Sequence, residues 1–101
     1  MESARSKNNV RIRLPDERWF HITEEHAEMA GRYFEVLETI EVPTVVYQGN
    51  TGECLAVREI EAGKHLVVIY KETSQVDGFV ITAYVTRRKR QLERRPVLWQ
   101  L

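Results

Sequence analysis

Residues 77–95 read DGFVITAYVTRRKRQLERR. From Phe79 to Thr86 apolar residues alternate with Thr, Ala and Tyr, the period-two pattern of a half-buried strand. On such a strand Phe79, Ile81, Ala83 and Val85 share one face, and Val80, Thr82, Tyr84 and Thr86 share the other. The first face is expected to meet the core; the second is rich in hydroxyls and open to a ligand. The strand empties into a basic segment. Six of the chain's fifteen Lys and Arg lie between Arg87 and Arg95, where Glu93 is the one acid out of fifteen. A formal net charge of +0 therefore conceals a basic pole and an acidic remainder. Arg87 to Arg95 reads as a loop or one or two helical turns. A cluster of guanidinium groups beside hydroxyls suits a phosphate backbone.

Upstream, His65 to Lys71 is a nearly continuous apolar run, as in a central strand buried on both faces. Cys54 to Ile60 alternates, and Thr44 to Tyr47 is a short strand. The turn clusters at 49–52, 61–64 and 74–78 are short, which favours antiparallel neighbours in the order Cys54–Ile60, His65–Lys71, Phe79–Thr86. Val97 to Leu101 reads as a last strand. Near the start, VRIRL at 10–14 alternates strictly, with Val10, Ile12 and Leu14 on one face. Pro15 stops it, and Asp16 is placed to cap a helix. Trp19, Ile22 and His26 then recur at helical spacing, Gly31 interrupts, and Tyr33, Val36, Leu37 and Ile40 mark a second helix that Pro43 closes. Residues 1–9, MESARSKNN, are polar and are expected to form a disordered tail before a single domain at 10–101. The fold class is α+β: two short N-terminal helices packed on a curved antiparallel sheet, with Trp19, Ile22, Leu37, Ile40, Val67, Ile69, Ile81 and Ala83 in its core.

Composition narrows the function. One cysteine, Cys54, permits no internal disulfide and no thiolate metal site, and it fits a reducing cytoplasm. No apolar run approaches the ~18 residues of a membrane span, and the start of the chain lacks a signal-peptide core. There is no phosphate loop, dinucleotide fingerprint or nucleophile elbow, and no cofactor is expected. His21 and His26 are five positions apart, about 140° around a helix, so they are poor joint ligands for a metal. Either is suited to proton transfer near neutral pH, though a packed or solvated histidine is the commoner case. Thr82 can hydrogen-bond a phosphate or the attacking oxygen, and equally suits a solvated strand face. Arg87, Arg88, Lys89, Arg90, Arg94 and Arg95 can hold phosphates, and Tyr84 can stack on a base.

The segments RIRLPDERWFHITEEH, LETIEVP, HLVVIYKE, DGFVITAYVT and RRPVLWQL follow one another in that order. Together they resemble the phage-type branch of the barnase–EndoU–colicin–RelE-like ribonuclease superfamily (the BECR fold), and the chain is similar to toxins of the RelE, ParE and BrnT kinds. The resemblance spans about residues 10–101. Its most specific pieces are W-x-H-I-x-x-x-H at Trp19–His26 and I-T-A-Y at Ile81–Tyr84. It implies helices followed by a curved RelE-like meander, and metal-independent RNA cleavage by attack of a 2′-hydroxyl on the adjacent phosphate. It maps a catalytic set onto His26, His21, Thr82 and Arg87, with Arg88 beside them. It further implies a toxin with RNA as substrate and a cognate antitoxin as partner; a homodimer is compatible with it. The alternative is a nucleic-acid-binding or protein-interaction module of the same fold without catalysis.

Overall fold

A computed structural model describes residues 2–101, which form one seven-stranded sheet with three α-helices. The strands are β1 (Glu2–Arg5), β2 (Arg11–Leu14), β3 (Val45–Gln48), β4 (Cys54–Glu61), β5 (Lys64–Glu72), β6 (Asp77–Thr86) and β7 (Val97–Gln100). The helices are α1 (Asp16–Glu25), α2 (Tyr33–Glu41) and α3 (Lys89–Leu92), and a 3-10 turn, Ala27–Met29, lies between the first two. The sheet order is β1-β2-β6-β5-β4-β3-β7. Strands β3 to β6 are the expected antiparallel meander, stepping through the short turns read from the sequence.

The sheet is not wholly antiparallel. β2 pairs with β6 in parallel, from Arg11 opposite Asp77 to Arg13 opposite Phe79. After β2 the chain crosses over α1 and α2 and re-enters the sheet at β3. The meander then walks back and brings β6 alongside β2 in the same direction, a pairing that needs such a long crossover. Nor are all helices N-terminal: two strands precede α1, and α3 follows β6. Residues 2–5, expected within a disordered tail, pair with β2 as β1; Met1 lies outside the described residues. Asn9 takes the left-handed conformation (φ 63°) that the β1–β2 turn needs and asparagine tolerates. The outer edge of β1 is covered by α2. The Glu2 N–H donates to the Tyr33 hydroxyl at 3.2 Å, and the Arg5 N–H to the Glu41 carboxylate at 3.5 Å. Only Ala4 is apolar in this strand, so period-two alternation has nothing to register.

The sheet buries both faces. Against the helices lie Ile12, Leu14, Leu66, Val68, Tyr70, Val80 and Ala83, meeting Ile22, Met29, Val36, Leu37 and Ile40. On the other face Val45, Tyr47, Leu55, Val57 and Val67 pack under Leu92 of α3. β5 is thus buried on both sides, as its apolar run requires. β6 departs from simple alternation. Tyr70 pairs with Val80 but Ile69 pairs with Thr82, so Ile81 is the extra residue of a β-bulge. The bulge puts both Val80 and Ala83 on the helix side, whereas strict alternation separates them. Ile81, Ile69 and Trp19, expected in the core, are only partly buried. The sheet curls enough that Lys7, in the β1–β2 turn, sets its ammonium 4.7 Å from the ring centre of Trp99 on β7. Among the described residues no helix is long and apolar enough to cross a membrane.

α1 begins one residue earlier than a cap at Asp16 would place it. Pro15 is the N-cap, and Asp16 and Glu17 form an acidic first turn that complements the helix dipole. The helix ends at Glu25. His26 leaves it with φ −131°, its N–H still bonded to the Ile22 carbonyl at 2.8 Å. That exit carries the chain toward β6.

Candidate functional site

Pairing between β2 and β6 stops at Phe79, so one edge of β6 beyond it has no strand partner. The 3-10 turn fills part of that gap. The Val85 N–H donates to Glu28 Oε2 at 3.4 Å, and the same carboxylate oxygen lies 3.7 Å from His26 Nδ1. The imidazole centre is 6.0 Å from the ring centre of Tyr84, with the planes tilted by 36°. His26 thus lies between a carboxylate and a phenol, its side chain about one-third exposed. A carboxylate that orients an imidazole is the usual support for a histidine that moves protons. Burial raises the Tyr84 pKa above the ordinary phenol value, while the charge of Arg95 opposes the shift. At neutral pH Tyr84 is therefore a neutral hydrogen-bond donor. Arg95 is itself fixed by the β3–β4 turn, donating to Asn50 Oδ1 at 2.9 Å and to the Gln48 carbonyl at 3.4 Å.

Of the residues singled out from sequence, His26 and Tyr84 are brought together, and the charge of Arg95 is felt at Tyr84. Thr82 lies on the same strand, but its hydroxyl is fully buried. Among the described residues, Thr82 Oγ1 is the one buried side-chain polar atom without a hydrogen-bond partner. The hydroxyl is therefore closed to direct contact with a substrate in this conformation, contrary to the phosphate-positioning role expected of it. Leaving a buried hydroxyl unpaired costs roughly 1–3 kcal/mol, and native proteins keep such groups rarely. Thr82→Val keeps the shape and removes the orphan. Its unfolding midpoint in denaturant is expected to rise, by about 1 kcal/mol in stability. A fall of that size would mean that the hydroxyl has found a partner.

His21 is elsewhere. It lies in an exposed cleft of about 350 Å³ with Arg13, Pro15, Glu17, Arg18, Phe79 and Val80, and its Nδ1 is 3.9 Å from Glu24. In that cleft Arg13 is committed to Asp77 through a bidentate pair at 2.9 and 3.0 Å. That hydrogen bond holds the Asp77 carboxyl below the usual range. The helical angle between His21 and His26 already separated them; the end of α1 at Glu25 separates them further.

Arg87, Arg88, Lys89 and Arg90 are exposed around a shallow cleft of about 510 Å³ shared with Gln91 and Glu93. The segment is anchored at both ends, by the Arg88 N–H on Thr86 Oγ1 at 3.0 Å and by buried Leu92. Among the described residues none of these four cations, nor Arg94, forms an ion pair or a side-chain hydrogen bond. They form a patch of free positive charge beside the sheet, next to the His26 site in sequence but lining a separate cleft.

Sequence reasoning passed over Glu28 and the third histidine, His65. Glu28 stands two residues after His26, a spacing that becomes meaningful only once the helix ends at Glu25. His65 is 7 % exposed on the α3-side face of β5. It pairs laterally with Glu59 of β4 and Thr86 of β6, so carboxylate, imidazole and hydroxyl stand in one row across three strands. Its alternation with Val67 placed it on that face; its apolar neighbours concealed it as a candidate. Among the described residues no cluster of three or more His, Cys, Asp or Glu is placed to hold a metal ion. Compared with protein-family models, curated proteins and solved structures, the chain shows no significant match to any of them.

Proposed function

We propose that this chain is a small endoribonuclease that cleaves RNA without a metal, with His26 as the proton-transfer group. The observation that carries the reading is the placement of His26 between Glu28 and Tyr84 at the unpaired edge of β6. His26 takes the proton of a ribose 2′-hydroxyl. The 2′-oxygen forms a bond to phosphorus, the bond to the 5′-oxygen breaks, and that oxygen takes a proton from water. Glu28 holds the imidazole in orientation. Tyr84 donates a hydrogen bond to a non-bridging phosphate oxygen, and Arg95 balances the charge that develops there. Arg87, Arg88, Lys89, Arg90 and Arg94 hold the flanking backbone. The curved meander with α1 and α2 on one face is the RelE-like part of this reading. In it the chain acts as a toxin in the cytoplasm, beside a cognate antitoxin.

The test is cleavage of an RNA oligonucleotide in EDTA, followed by analysis of the product ends. A 2′,3′-cyclic phosphate is expected. A different end, or cleavage only with added metal, would remove the mechanism. A second reading, a nucleic-acid-binding module without catalysis, is favoured by one fact: the free cations line a cleft apart from His26. It predicts salt-dependent RNA binding and no cleavage. Under both readings, replacing Arg87, Arg88 and Arg90 by Ala weakens binding. It also flattens the dependence of log affinity on log salt by up to about one unit per lost phosphate contact. An unchanged slope in the triple variant would place the binding surface elsewhere.

A further inference from the structure

In the row of Glu59, His65 and Thr86, the first two line a further cavity, of about 110 Å³, between the sheet and α3. Val45, Val57 and Leu92 give it apolar walls, and Glu59, His65 and Lys89 place polar groups around it. The volume is small against the ~300–1,000 Å³ of ordinary ligand pockets. It is large for a single water, whose share of liquid volume is about 30 Å³. It is room for one flat ring. His65 is 7 % exposed and makes no side-chain hydrogen bond among the described residues, and its ring nitrogens are not among the fully buried unpaired polar atoms, so they are open to a partner at the cavity. Glu59 is held in place, one carboxylate oxygen accepting the Gly63 N–H at 2.9 Å. Arg87 Nη1 lies 3.7 Å from where a Cβ would stand on Gly63, at ordinary contact distance. Arg87 thus reaches the turn that fixes Glu59, and Lys89 belongs both to this cavity and to the basic cleft.

We infer that this cavity seats a single nucleobase, with the nucleotide's phosphate held by Arg87, Arg88 and Lys89 at its rim. An apolar slot takes the faces of a heteroaromatic ring, and a carboxylate and an imidazole take its hydrogen-bonding edge. The adjoining free cations suit the phosphate that a nucleotide carries and a bare apolar ligand lacks. Glu59 accepts hydrogen bonds, so the preferred base presents N–H donors. The inference extends the RNA reading by assigning base recognition to a place apart from His26, and its test needs no cleavage.

The probes are the four ribonucleoside 5′-monophosphates, ribose 5-phosphate and inorganic phosphate, titrated into the full chain with methyl and imidazole NMR signals as readout. At least one nucleotide is expected to bind about tenfold or more tightly than ribose 5-phosphate, and to shift the methyls of Val57 and Leu92. Glu59→Gln, on an exposed side chain, is expected to reduce that preference about tenfold while leaving ribose 5-phosphate binding unchanged. Thr44→Tyr, also at an exposed rim position, is expected to block the nucleotide and spare inorganic phosphate. Equal affinity for all nucleotides and ribose 5-phosphate would overturn the inference, as would unmoved Val57 and Leu92 methyls at saturation. RNA cleavage without base preference would sink the pocket and leave the nuclease reading standing. A nucleotide seated in the pocket with no RNA cut would do the reverse.

Discussion

His26→Gln is expected to lower the rate of RNA cleavage by about 10²–10⁴-fold, the usual contribution of a positioned acid–base group. The glutamine retains a polar side chain near Glu28 but cannot accept and carry a proton. Little stability should be lost, because the His26 side chain is about one-third exposed and closes no part of the apolar core. Activity is therefore compared at equal folded fraction, measured by denaturant titration. Glu28→Gln should lose less than His26→Gln, since it orients the imidazole and is not itself the proton carrier. The ranking is informative in itself. A wild-type rate in His26→Gln, together with a large loss in His65→Gln at equal folding, would move the chemistry to the row on the α3-side face. Full activity in His21→Gln is expected, because His21 lines a different cleft with Arg18 and Phe79.

The parts of the fold legible in the sequence are those where the periodicity is strong and local. The β4, β5 and β6 strands, their antiparallel order and the apolar stripe of α2 follow from alternation, short turns and helical spacing. Three features were hidden for separate physical reasons. β1 has a single buried apolar residue, Ala4, and is held by backbone bonds to β2 and by side chains of α2, none of which leaves a local pattern. The parallel β2–β6 pair depends on where the meander returns, a matter of topology. The bulge at Ile81 shifts the face assignment by one residue, and alternation alone has no means of registering an inserted residue.

The site follows the same division. The pairing of His26 with Tyr84 arises from two motifs over fifty positions apart, and only the fold brings them to 6.0 Å. Helical periodicity aimed His26 at the sheet, which is its direction in the structure, although it sits past the helix end. Thr82 shares the face that alternation gave it, but the bulge and the packing around it close its hydroxyl off from solvent. Glu28 and His65 were visible as residue types without being visible as partners. A carboxylate two residues from a histidine means little until the helix stops just before them. A histidine inside an apolar strand looks like core until Glu59 and Thr86 are found beside it.

Met29→Ala is expected to cost about 2–5 kcal/mol, as deletion of a buried methionine side chain does when its site collapses only in part. Met29 is 0 % exposed and is the one buried side chain of the 3-10 turn. Otherwise that turn is held by a few backbone bonds, among them Met29 N–H to the His26 carbonyl at 2.9 Å and Arg32 N–H to the Met29 carbonyl at 3.0 Å. Native stabilities are roughly 5–15 kcal/mol in total, so the loss is a large share. Met29→Leu nearly conserves volume and should cost under about 1.5 kcal/mol. The same side chain couples core to site, because His26 and Glu28 immediately precede it at the turn that meets the edge of β6. If Met29 anchors the pair, cleavage by Met29→Ala falls by more than its folded fraction explains, and Met29→Leu retains both stability and rate. Stability within half a kcal/mol of wild type in Met29→Ala would contradict its place in the core. A full rate per folded molecule, despite the expected loss of stability, would show that the turn keeps His26 against Tyr84 without this anchor.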